Sequence, residues 1–214
     1  MTPREFAHCL AAILVLFVVL AFYPIISANF LILPMLFVFS IITIFVAVIS
    51  KKIVANYYDA TVEHEIWMWE RYGFKPHYRI KPAVPGGIIF PIFFSVMSLG
   101  FIKIMAFLTY EARGLKSRAA RAHGLYSFVE MTDWHHALIG AGGIAGLLLL
   151  SVIAYFIPIS GFETLSKIAV YYAFWNMIPF SKFDGAQIFF GSRPLYIFVG
   201  IITLIFTLYA LFLI

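Results

Sequence analysis

The chain has 214 residues, of which 63% are hydrophobic and only 12% charged, with a net charge of +5 and a mean hydropathy of +0.97. A soluble domain is about half apolar and about a quarter charged, so a water-soluble fold is excluded. Cys9 is the single cysteine, which excludes an intrachain disulfide and a cysteine-based metal cluster, and the excess of positive charge reads as basic loops at a membrane surface rather than as a nucleic-acid footprint.

In chain order, five stretches are long enough to cross a bilayer, which takes about 20 apolar residues: 7–27, 30–50, 137–158, 164–181 and 194–214. The first is longer than the roughly 7–15 residues of a signal-peptide core and reads as a retained span. The segment 51–81 is aromatic and mixed in charge. It predicts a second span that overruns the membrane by a turn or two, then short strands or an interfacial helix. Trp67, Trp69, Tyr72 and Tyr78 suit the headgroup layer. The stretch 86–108 is apolar but punctuated by Pro85-Gly86-Gly87, Pro91 and Ser98-Leu99-Gly100, and it holds Lys103. Such broken segments are often re-entrant, with their irregular backbone buried in protein. The basic part of 109–136 predicts a helix skimming the membrane. Gly140, Gly142, Gly143 and Gly146 form a small-residue face, which lets helices approach closely.

Charge chooses the topology. If 86–108 crossed fully, the basic loops 51–85 and 109–136 would face opposite sides. If it enters and returns, every Lys and Arg except Lys103 and Lys167 gathers on one face. The positive-inside rule favours the second arrangement, with the N-terminus and large loops cytoplasmic and the C-terminus outside.

Among polar residues, Asp184 is the sharpest anomaly. An ionised carboxylate at membrane depth costs several kcal/mol unless paired or hydrated, and is functional by default. Asn176 precedes it, and Pro179 breaks the helix between them. His135-His136 is a poor chelate, because helical neighbours point about 100° apart. His8, His77 and His123 read as solvated or interfacial.

The spacing Asn176-x-x-Pro179-x-x-x-Phe183-Asp184-Gly185 resembles the second signature of the site-2 intramembrane zinc metalloproteases. The likeness extends to the Gly-rich 137–149 stretch, to 82–87 and to 51–74, and so covers roughly 45–214. It implies an all-α polytopic membrane protein of about five spans plus a re-entrant element at 86–108, open to β structure, over a site-2-protease-like core. In that family the Asp is the third zinc ligand. Two His of His-Glu-x-x-His supply the others, and the Glu activates the bound water. Here Ala47-Val48-Ile49-Ser50-Lys51 stands where that motif belongs, with Lys51 at the second His position.

Two readings of Lys51 stay open: an ion pair with Asp184 in place of the metal bond, or snorkelling of Lys51 and Lys52 to the headgroups. The resemblance then implies a degenerate, metal-free relative that binds or escorts transmembrane segments in the bilayer without hydrolysing them. One alternative is an active zinc protease with an unusual ligand set, His64 and Asp184 among it. The other is a structural subunit of a membrane complex.

Overall fold

The computed structural model describes residues 1–71, 79–115 and 131–212. In order they form α1 (Pro3–Ile26), a 3-10 turn (Phe30–Ile32), α2 (Leu33–Tyr57), β1 (Ala60–Ile66), β2 (Trp69–Arg71), β3 (Arg79–Val84), α3 (Gly86–Met97) and β4 (Leu108–Gly114). Then come α4 (Asp133–Phe156), α5 (Phe162–Met177), α6 (Asp184–Gly191) and α7 (Arg193–Phe212). The chain is α-rich, and among the described residues four helical stretches are long and apolar enough to cross a membrane: α1, the 3-10 turn with α2, α4 and α7.

The fifth expected span, 164–181, is corrected. It becomes α5 of 16 residues, about 24 Å at 1.5 Å per residue, short of a roughly 30 Å hydrocarbon core. Pro179 is the cause. A residue before proline is driven out of the helical region, and Ile178 is extended at ψ 127°. The second helix overruns its expected end at residue 50 by seven residues, and short strands follow it.

β1 pairs antiparallel with β4, from Ala60 opposite Gly114 to Ile66 opposite Leu108. The two loops that charge counting assigned to one face therefore meet in one sheet. β1 alternates, with Ala60, Val62, His64 and Ile66 turned inward. β2 pairs with β3 in a second small sheet. The β structure thus lies outside 86–108, apart from the first residue of β4.

α3 has 12 residues, about 18 Å, too short to cross. Its start is anchored at the sheet, where Gly87 N donates to Trp67 O. The chain reverses at Leu99 and Gly100, both at positive φ. It returns extended, and Phe107 O accepts from Trp67 N. The tip lies on α1, with Phe101 against Tyr23 at 5.7 Å between ring centroids. Trp67 is buried within the protein, packed on Phe90 and Phe183 with its Nε1 donating to Ser181 Oγ at 2.9 Å. Tyr72, Tyr78, His77, His123 and the basic skimming stretch lie outside the described residues.

The tip supplies a test. Gly100 has φ +83°, and an added Cβ would come 2.9 Å from Tyr23 N. Gly100→Val is expected to cost about 1–3 kcal/mol, read as a lower Tm in detergent. An unchanged Tm would mean that the tip is not seated on α1.

Candidate functional site

Three helices converge on one buried ion pair. Lys51 Nζ lies 2.7 Å from Asp184 Oδ1, with side-chain exposures of 4% and 2%. Lys51 sits on the buried face of α2 with Ala47, Val48 and Ala55. Its stem crosses α4 at Gly143, where a Cβ would fall 2.5 Å from Lys51 Cε. The glycine face thus makes room for a lysine, while Gly142 and Gly146 admit Val54 and Ser50 of α2. Nζ also lies 4.9 Å from the centroid of the Tyr110 ring, a favourable cation–π contact.

The Asp184 turn is built by the backbone. α5 ends at Met177, Ser181 takes φ +53°, and Asp184 opens α6, where a helix N-terminus favours negative charge. Gly185 lies against Met177 O so closely that any Cβ would overlap it. Asn176 Nδ2 donates to Tyr172 O at 2.8 Å and to Met105 O at 3.3 Å, tying the returning arm of the hairpin to α5. Its Oδ1 is buried without a hydrogen-bond partner.

A second cluster was missed by sequence reasoning. Glu5, on α1 and outside the expected first span, accepts from Lys52 Nζ at 2.7 Å, and its other oxygen lies 3.0 Å from His64 Nδ1. Glu5 and His64 are almost fully buried, while Lys52 is 30% exposed. The one available signal was an acidic residue immediately before an apolar run. Tyr110 was missed as well; its hydroxyl donates to His136 O at 2.6 Å. His135 and His136 sit in the first turn of α4, and His8 Nδ1 accepts weakly from Ile66 N at 3.4 Å.

Beside the Asp184 turn is an aromatic-walled cavity of about 240 Å³, lined by Trp67, Phe90, Phe94, Ile104, Trp175 and Phe183, among others. The donors at this turn do not fit zinc. Asp184 faces an ammonium rather than further ligands, and His64 is engaged by Glu5. Among the described residues no group of three or more His, Cys, Asp or Glu is disposed to hold a metal ion. Comparison with known protein families, curated proteins and solved structures found no match.

Two predictions follow from these clusters. Asp184→Asn strands the Lys51 ammonium in the interior and is expected to cost about 3–5 kcal/mol, whereas Lys51→Met with Asp184→Leu should recover most of it. A Tm series in detergent that shows equal loss in the single and double variants would refute the pairing.

Burial lowers the His64 pKa to about 4, against the opposing pull of the Glu5 carboxylate. The unfolded chain then takes up the extra proton first, near pH 6.5. The contribution of His64 is therefore complete above about pH 6.5 and declines as pH falls toward 4, by about 3 kcal/mol at most. His64→Gln should flatten the pH dependence of Tm across that window, and a slope identical to wild type would count against it.

Proposed function

We propose that this chain is a catalytically silent relative of the site-2 intramembrane proteases, which binds and escorts transmembrane segments of other proteins. The observation that carries the reading is the buried Lys51–Asp184 pair. Asp184 stands at the third-ligand position of the family signature and Lys51 at the position of the second zinc-binding histidine. A fixed cation of the side chain takes the place of a metal cation, so the charge on Asp184 is balanced while the water-activating chemistry is lost. The surrounding architecture supports retention of a client groove. Phe180 and Phe183 of the Asp184 turn, Trp175 of α5, Phe90 and Phe94 of α3 and Ile104 of the returning arm line an aromatic cavity, and apolar clefts of this kind are the usual receptacles for apolar guests.

The orientation is part of the proposal. The N-terminus and both basic loops lie on the cytoplasmic side, and the C-terminus lies outside. Pairing of β1 with β4 supports it, because it gathers loops 51–85 and 109–136 at one end of the bundle.

A photo-crosslinking amino acid at position 94, on the cavity wall, tests the reading against one at exposed position 153 of α4. Adducts to full-length membrane-spanning polypeptides are expected at 94 and not at 153. Cleaved products together with near-stoichiometric zinc by elemental analysis would establish an active protease instead. Equal labelling at both positions would remove the groove as a client site and leave a structural subunit.

A further inference from the structure

Lys103 is the one charged residue of the 86–108 hairpin. It lies three residues past the tip at Gly100, which touches α1 at Tyr23. It lies two residues before Met105, whose carbonyl is held by Asn176. Two or three residues span at most about 11 Å, so Lys103 stands within roughly that distance of each landmark. Tyr23 is near the far end of α1, while the start of α1 and the start of α3 both lie at the sheet. Lys103 is therefore placed between the two membrane faces. Around it the hairpin exposes Phe93, Met97, Leu99, Phe101 and Ile102, an apolar surface suited to lipid or to another apolar helix.

Lys103 is half-buried. Among the described residues it makes no hydrogen bond or ion pair, and no charged group among them acts on it. The contrast within the molecule is sharp, because Lys51 and Lys52 both have carboxylate partners. Its sequence neighbour Ile104 lines the aromatic cavity. An ammonium at membrane depth is costly unless it meets a counter-charge, and a lysine stem reaches several ångströms to find one.

We propose that the hairpin receives transmembrane segments carrying a carboxylate at mid-membrane depth, with Lys103 as its counter-ion. This rests on the client-binding reading above and names the client class. The segment lies along the exposed apolar face of the hairpin beside the aromatic cavity. Its Asp or Glu pairs with Lys103, which removes two unpaired charges from the bilayer at once. Apolar area alone gives little preference between lipid and helix in a membrane, so the ion pair supplies the selectivity.

The test uses the full-length chain in phosphatidylcholine vesicles at pH 8. Two dye-labelled Leu/Ala-rich single-span peptides differ only in a central Asp or Asn, and binding is read by energy transfer. The Asp peptide should bind about tenfold more tightly. Lys103→Met, checked for an unchanged Tm, should reduce the Asp peptide to the level of the Asn peptide and leave the latter unaltered. Lys103→Glu should transfer the preference to a peptide with a central Lys. Equal binding of the Asp and Asn peptides, or an Asp preference that survives Lys103→Met, overturns the charge recognition and leaves the client-binding reading standing. Binding of neither peptide overturns both.

Discussion

The arrangement depends on keeping a carboxylate ionised in a place where water does not reach. Asp184 has 2% side-chain exposure and one ammonium at 2.7 Å. Everything nearby is organised to bring that ammonium in. α2 must end late enough to carry Lys51, α4 must be bare at Gly143, and the chain after α5 must turn tightly enough to present Asp184 at the first position of α6. A buried pair of this kind is a poor source of net stability, since desolvation offsets the attraction. Its effect is specificity: it admits one register of α2 against α4, because a slip by one residue rotates Lys51 about 100° away from Asp184.

The second cluster obeys the same accounting of charge. Glu5 with Lys52, and Asp184 with Lys51, bring two carboxylates together with two ammoniums, and the sum is zero while His64 is neutral. The adjacent positions Lys51 and Lys52 therefore divide the work. One is drawn inward toward α6, and the other holds α1 from the rim. α1 is tied to β1 and α2 by a polar contact at its sheet end and by the hairpin tip at Tyr23 near its other end. The irregular backbone of the hairpin is satisfied in the same economical way. Phe107 O meets Trp67 N, Met105 O meets the Asn176 amide, and Gly87 N meets Trp67 O, as a non-helical segment at membrane depth requires.

Much of this was legible in the sequence. The long apolar runs, the interruption at Ser98-Leu99-Gly100, and the anomaly of Asp184 all rest on local rules that tertiary packing does not override. Other features were not. Hydropathy runs on through Ile178 and Phe180 to 181, whereas the steric effect of Pro179 stops the helix at Met177. The mixed charge around Trp67 suggests the headgroup layer but says nothing of what the indole packs on. Its partners, Phe90, Ser181 and Phe183, come from distant parts of the chain and leave no trace in the local pattern. Glu5 is a similar case, since its two partners are 47 and 59 residues away.

On the proposed reading a lysine stands where the family holds a metal, and this has a consequence for what the groove can do. A divalent ion with an open coordination position polarises whatever enters it. A lysine already bonded to an aspartate offers no such position, and Tyr110 covers its remaining face. On that reading the pair is a closed structural element rather than a reactive one. On the proposed reading, recognition falls to groups whose valence is still open: Asn176 Oδ1, which is buried without a partner, the aromatic cavity walls, and Lys103 on the hairpin. Ile104 and Met105 join Lys103 along the returning arm to the cavity wall and to the Asn176 amide. On the proposed reading a client is therefore selected by charge at mid-depth and by apolar fit nearer the turn, and it leaves as it entered, because the centre it reaches holds its charges already spent on each other.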